Sequence, residues 1–277
     1  MIKKLIKKFF NNLIRPHKVP KKLLTKLDYY FKYKEYNKVL FENEQNDFFN
    51  HYGLNRNKGV ENLKFKKKEL AKNFDINRGM GSEHEVFFSS LSLKSDRSIT
   101  EILEIGTFDG FNAILLSKLF TAANIDTIDL PENDEDFINF YNRKNQVSKF
   151  IQDRDDILSE NKNIKFYTLN SLKLLNHKKK YDLIWIDGAH GYPIVCIDII
   201  NSLHLLNENG IIVCDDVHKD LTQIGSDRMY NSVASYETLN ELNKENLIQF
   251  KLIYKRLDPK SNCIESERKF LAIVTKS

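Results

Sequence analysis

The chain has 277 residues, room for one large domain or for a core of roughly 180 residues with an appendage. Hydrophobic residues make up 41% and charged residues 29%, the balance of a soluble globular protein. No apolar run approaches the roughly 20 residues needed to cross a bilayer, and lysines interrupt the first apolar residues every turn, which argues against a signal peptide.

The net charge of +5 is unevenly spread: residues 1–40 hold 12 Lys/Arg against 2 Asp/Glu, so they carry +10 and the rest of the chain −5. The basicity therefore belongs to the N-terminal stretch, and a basic pI is weak ground for a nucleic-acid partner. The three cysteines, Cys196, Cys214 and Cys263, are odd in number and widely spaced. They suit reduced thiols in a cytoplasmic protein better than a disulfide framework or a zinc site.

Residues 2–14 predict an amphipathic helix. Ile2, Leu5, Ile6, Phe9, Phe10, Leu13 and Ile14 share one face and Lys3, Lys4, Lys7 and Lys8 the other, with Pro16 as its stop. Such a helix can lie on an anionic membrane surface, here the inner face, or pack its apolar stripe on its own domain or a twin subunit. Residues 20–75 predict further helices. Tyr29, Tyr30, Phe31, Tyr33 and Tyr36, interleaved with lysine, can stack on bases or sugars, but core and rim of a helical layer is the favoured reading. Residues 1–75 are thus expected to form a basic helical extension and residues 76–277 the catalytic domain.

After residue 98 strand-like and helix-like segments alternate, the pattern of a parallel sheet with crossover helices. Strands are expected at Ile99–Ile105, Asn124–Ile128, Ile164–Leu169, Tyr181–Ile186 and Gly210–Cys214, and helices near 111–120, 192–206 and 230–244. The last two strands, Ile248–Arg256 and Lys269–Thr275, are joined too closely for a crossover helix and must run antiparallel.

The first strand runs into Glu104-Ile-Gly106-Thr107-Phe-Asp-Gly110. A strand that turns sharply into a helix while its backbone approaches a ligand has no room for a Cβ, and the helix N-terminus then faces that ligand. The spacing is neither G-x-G-x-x-G nor a P-loop. Asp129, at the end of the second strand, can accept both hydroxyl protons of a ribose.

These segments resemble the cofactor motifs of class I S-adenosylmethionine-dependent methyltransferases, over about residues 80–277. The resemblance implies an α/β fold: a doubly wound, seven-stranded, mostly parallel, Rossmann-like sheet. It implies Gly106, Thr107 and Gly110 against the methionine part of the cofactor, Glu104 holding that part through its ammonium or a water, Asp129 on the ribose, and Asn170 and Ser171 near adenine.

Asp187 and His190 follow the fourth strand, and Asp215, Asp216 and His218 the fifth, all bordering the expected ligand crevice. Three carboxylates make an all-oxygen set suited to Mg²⁺, Mn²⁺ or Ca²⁺. Alternatively, Asp187 binds cofactor or caps the next helix, and the adjacent Asp215 and Asp216 point to opposite faces of the strand. His190 can take a proton near neutrality, whereas His204 lies within an apolar helix and reads as structural. The segment Ile186-Asp-Gly-Ala-His-Gly-Tyr-Pro-Ile-Val-Cys-Ile-Asp198 is similar to that of the methyltransferase 24 family and of metal-dependent sugar O-methyltransferases. That resemblance implies Asp187, Asp215 and Asp216 as Mg²⁺ ligands and His190 as general base.

The polar segments 217–230 and 78–85 are expected to be loops enclosing cofactor or acceptor, with Arg78 and His84 as acceptor contacts. The expected function is O-methylation of a hydroxyl on a sugar or small metabolite, with a bacterial surface-glycan intermediate favoured and a phenol as nearest rival. A non-catalytic scaffold or membrane-docking module, and an RNA methyltransferase with a basic clamp, are the alternatives. The last predicts a steep salt dependence of binding.

Overall fold

A computed structural model describes residues 30–31, 33–70, 81–140, 147–220, 232–263, 265 and 268–277. The amphipathic segment 2–14, Arg78 and most of the 217–230 loop lie outside them.

Among the described residues three helices precede the sheet: α1 (Lys38–His51), α2 (Arg56–Leu70) and α3 (Glu83–Ser92). Asn37 caps α1 by accepting the Leu40 N–H at 3.3 Å, satisfying one of the donors a helix start leaves open. The alternating part runs β1 (Glu101–Ile105), α4 (Phe111–Leu119), β2 (Asn124–Asp129), α5 (Glu135–Phe140), α6 (Val147–Ser159), β3 (Ile164–Thr168), a 3₁₀ turn (Ser171–Asn176), β4 (Tyr181–Ile186), α7 (Ile194–Leu205), β5 (Leu206–Val217), α8 (Ala234–Lys244), β6 (Ile248–Tyr254), a one-turn α9 (Pro259–Asn262) and β7 (Phe270–Lys276).

The seven strands form one sheet in the order β3-β2-β1-β4-β5-β7-β6. β7 runs antiparallel to both of its neighbours, and the other pairings are parallel. The expected doubly wound, mostly parallel sheet and its antiparallel closing pair are therefore present. From β1 the chain winds one way through β2 and β3, then the other way from β4, so the switch point lies between β1 and β4. A crevice opens there at the carboxyl ends of the strands.

Side-chain alternation divides the core between the two faces. Ile102, Leu183, Trp185, Ile211, Val213, Leu271 and Ile273 share one cluster with Leu115 of α4 and with Phe49, Leu63, Val86, Phe87 and Phe88 of α1–α3. Leu103, Ile105, Ile184, Ile186, Ile212 and Val274 face the other way, against Val195 and Ile199 of α7 and Leu239 of α8. The helices before residue 93 thus complete one face of the core.

Polar bonds fix this layer to the sheet. Arg56 forks onto Glu83 at 2.6 and 2.7 Å. Gln45 donates to Glu83 at 3.1 Å and to the Tyr254 carbonyl at 3.0 Å, and accepts the Tyr254 N–H at 3.1 Å. The Glu83 N–H donates to the Lys255 carbonyl at 2.8 Å. His84 and Glu85, expected in a polar loop, instead lie in the first turn of α3. Their segment is helical because Val86, Phe87, Phe88 and Leu91 bury against the sheet, and a backbone buried with them must bond to itself. Among the described residues no helix is long and apolar enough to cross a membrane.

Candidate active site

A cavity of about 340 Å³ opens at the switch point, and Gly106, Phe108, Asp129, Asn170, Ser171, Asp187, His190 and Asp198 are among the residues on its walls. Of the expected cofactor residues, Gly106, Asp129, Asn170, Ser171 and Asp187 line it. Glu104, Thr107 and Gly110 are not on its described walls, because they form the layer beneath.

Glu104 is fully buried. It accepts from Thr127 at 2.5 Å and Asn112 at 2.8 Å. Burial lifts its carboxyl to about 7, against the pull of those two hydrogen bonds. The Thr107 and Thr127 hydroxyls are 2.6 Å apart. This network joins β1, β2 and the start of α4 under the turn. Gly110 has φ +81, and a Cβ on it would meet Leu158 of α6 at 2.9 Å.

Gly106 has φ +102, and a Cβ there would stand 2.2 Å from the Asp187 carbonyl oxygen. Its glycine is therefore required by the close approach of the β1 and β4 ends, in addition to any ligand. The Gly106 N–H bonds to Ile128 and the Asp187 N–H to Ile105, both at 2.9 Å, which ties the ends of β1, β2 and β4 together.

Asp129 accepts the Phe108 N–H at 2.9 Å and the Leu130 N–H at 2.8 Å. Those bonds fix the carboxylate, a group whose oxygens can each accept more than one hydrogen bond. Asn170 accepts the Leu172 N–H through its side-chain oxygen at 3.0 Å, so its amide NH₂ is available as a donor. A fixed carboxylate, an amide donor and the apolar walls of Ile128, Leu130, Phe137 and Leu169 make up the donor and acceptor set of a nucleoside site. S-adenosylmethionine fits these residues.

The reacting end holds Asp187 and His190, with His190 Nε2 3.6 Å from Asp187 Oδ1. His190 is buried, and burial lowers its pKa from the usual value although Asp216 and Asp215 pull upward. Its imidazole is neutral near pH 7 and able to accept a proton. Burial, then the charge of Asp215, pushes Asp187 well above the usual carboxylate range.

Asp215 and Asp216 do come together with Asp187, but around a lysine. Lys255, just past β6, donates to Asp215 Oδ2 at 2.6 Å and to Asp216 Oδ1, and Lys269 reaches Asp216 Oδ2 at 2.8 Å. Neighbours on a regular strand would diverge. Here the β5–β7 register shifts between Cys214 and Val217 and Asp216 has φ +50. This bulge turns both carboxylates toward Lys255. Burial alone would raise Asp215, but the charge and hydrogen bond of the Lys255 ammonium outweigh it and hold the carboxyl below its usual range.

At the expected metal set of Asp187, Asp215 and Asp216 the structure places the Lys255 ammonium. Among the described residues no group of His, Cys, Asp and Glu side chains is disposed to hold a metal ion, and Oδ2 of Asp215 and both carboxylate oxygens of Asp216 are bound to ammonium groups.

His84 packs against Trp185, the rings tilted by 34° with centroids 4.7 Å apart, and bonds to Ser82 Oγ at 2.8 Å. It lies under the acidic cluster rather than on the described walls of the cavity. Asp198 was visible in the sequence only as the end of a motif. It lies on the cavity wall in α7, and burial lifts its carboxyl to about 6. Phe108 (φ +52) and Phe137 line the cavity without any polar signal in the sequence to mark them.

Residues 103–217 match the family model Methyltransf_24, described as a methyltransferase domain. None of the curated proteins compared matches the chain by sequence. Among solved structures, a protein of Staphylococcus aureus described as a caffeoyl-CoA O-methyltransferase is 19% identical with a TM-score of 0.49, over 69% of this chain and 83% of that one. The O-methyltransferase TomG of Streptomyces achromogenes, in complex with S-adenosylmethionine, is 14% identical with a TM-score of 0.47, over 88% and 98%. The S-adenosylhomocysteine-bound methyltransferase PaMTH1 of Podospora anserina is 17% identical with a TM-score of 0.46, over 79% and 88%. Residues 103–217 are thus similar to a methyltransferase domain, and they lie on a doubly wound α/β sheet of seven strands.

Proposed function

We propose that the chain methylates a hydroxyl group of a sugar or other small metabolite. The observation that carries this reading is His190, a buried, neutral imidazole on the wall of the same cavity as Asp129 and Asn170, 3.6 Å from Asp187. An amine acceptor is already a nucleophile once neutral. A hydroxyl needs a base to take its proton as the methyl bond forms, and His190 is the group of suitable pKa beside the donor pocket.

Asp129 would hold the ribose, Asn170 and Ser171 the adenine edge, and Gly106 and Asp187 the methionine end. S-adenosylmethionine supplies, when bound, a methyl group on a sulfonium that is already a good leaving group. The protein's part is then to align the acceptor oxygen and receive its proton on His190, where the charges of Asp216 and Asp215 favour the imidazolium. A surface-glycan sugar is the acceptor class we favour, on the resemblance of the Ile186–Asp198 segment to sugar O-methyltransferases. Mg²⁺ takes no step in this account, because Lys255 stands among the carboxylates that would bind it.

The test is a panel of free and nucleotide-linked sugars, with phenols alongside, assayed for S-adenosylhomocysteine release. Turnover should require a hydroxyl acceptor, and His190→Ala should lower kcat about 10²- to 10⁴-fold while leaving S-adenosylhomocysteine affinity within about threefold. Turnover on amines alone, or a fully active His190→Ala enzyme, would contradict the proposal.

A further inference from the structure

We infer that the ammonium of Lys255 is a built-in cation that takes the place of a divalent metal ion in the Asp187–Asp215–Asp216 cluster, so that the site binds no such ion while Lys255 is present.

Lys255 is 4% exposed. Its Nζ contacts Asp215 Oδ2 at 2.6 Å and also Asp216 Oδ1. A hard divalent ion bridging the same two carboxylates would sit roughly 2.0–2.6 Å from their oxygens, which is the space the ammonium fills. The second oxygen of Asp216 is bonded to Lys269. Burial works against a charged lysine, but Asp215, Asp216 and Asp187 together hold Lys255 in its charged form above its usual range.

The lysine is also fixed in place. Its N–H donates to the Lys269 carbonyl at 3.0 Å, and its own carbonyl accepts the Glu83 N–H at 2.8 Å. Glu83 in turn is held by Arg56 and Gln45. The helical layer α1–α3 thus pins the backbone that delivers the ammonium. A surface lysine could swing away to admit a metal; one clamped on both sides of its peptide and buried against two carboxylates cannot do so without leaving buried charges unpaired. Lys255 acts through Asp215 and Asp216 and is a positioning residue.

This inference concerns the site of the proposed reaction but does not depend on turnover, so it can fail or stand separately. The experiment titrates Mn²⁺ into the full chain loaded with S-adenosylhomocysteine and follows free Mn²⁺ by electron paramagnetic resonance. Wild type should bind no Mn²⁺ in the micromolar range, and Lys255→Arg, which keeps the charge, should behave likewise. Lys255→Met should gain at least tenfold in Mn²⁺ affinity, and the added substitution Asp215→Asn should remove that gain. A general loss of structure would lower affinity, so only the inferred role predicts an increase. Stoichiometric micromolar binding to wild type that Asp215→Asn abolishes would overturn the inference. A folded Lys255→Met protein with no gain over wild type would overturn it as well. If Lys255→Met does not fold, the wild-type and Lys255→Arg titrations still decide the matter, since tight binding by either contradicts it.

Discussion

Replacing Gly106 by alanine tests how the pocket is built. The added Cβ would stand 2.2 Å from the Asp187 carbonyl oxygen, 2.7 Å from its carbon and 3.0 Å from the Gly188 nitrogen. All three are backbone atoms and no flexible side chain can yield. Carbon contacts settle at about 3.5–4.0 Å, so the end of β4 must retreat by roughly 1 Å. That movement strains the Asp187 N–H bond to Ile105. Alanine must also hold φ near +102, at a cost of about 1–3 kcal/mol. Overpacking adds about 1–3 kcal/mol, for a total of roughly 2–6 kcal/mol. At about 2–4 °C per kcal/mol for a chain of this size, calorimetry should show Tm lower by roughly 4–24 °C. Because Asp187 and Gly188 line the cavity, S-adenosylhomocysteine affinity should fall at least about tenfold, a modest loss for a 1 Å displacement. Gly188→Ala is the control: its Cβ would have no neighbour nearer than 3.4 Å, so Tm should change little. A Gly106→Ala protein with wild-type Tm and affinity would refute this account of the turn.

Three further outcomes follow from the buried charges. Arg56→Ala strands Glu83, 5% exposed, without its forked partner, which costs about 3–5 kcal/mol; denaturant titration should show it, and a loss under 1 kcal/mol would contradict the role of this pair. Glu104 is raised to about 7 in the folded state, so the folded protein binds the extra proton and stability should fall as pH rises from about 4.5 to about 7. The penalty above that window is on the order of 3 kcal/mol. Glu104→Gln should flatten the decline of Tm across that window, and an unchanged slope would speak against it. Since burial lowers the pKa of His190, the acid limb of kcat/KM should lie below the usual histidine range; a limb above it would assign the base elsewhere.

The alternating part of the fold was legible because its strands are buried on both faces and read as short apolar runs. Tyr181–Ile186 is found with the bounds expected, and the others within a few residues except β5, which begins at Leu206 rather than Gly210 and runs on to Val217. That extension carries Asp215 and Asp216 into the strand, and only the bulge and the positive φ of Asp216 make them converge. Neither feature has a marker in the residue types. α5 and α6 went unforeseen in a polar stretch. α3 was hidden behind glycines and charges, because its apolar residues bury against a sheet that local periodicity does not show.

The acidic and glycine positions of the site could be read from chemistry and spacing. Lys255 could not, because nothing near residue 255 marks it. It enters the site through the antiparallel closure of the sheet, some 40 residues after the aspartates it neutralises. Residues 1–75 read as a helical extension, and within them Phe49, Leu54, Leu63 and Leu70 sit in the same core cluster as Trp185.

The most direct test of the central claim is calorimetric titration of the full chain with S-adenosylhomocysteine, for wild type and Asp129→Ala. The account predicts micromolar binding to wild type and a loss of at least about tenfold, near 1.4 kcal/mol, in the variant. No binding to wild type, or equal binding to both, would contradict the assignment of this cavity to the methyl donor.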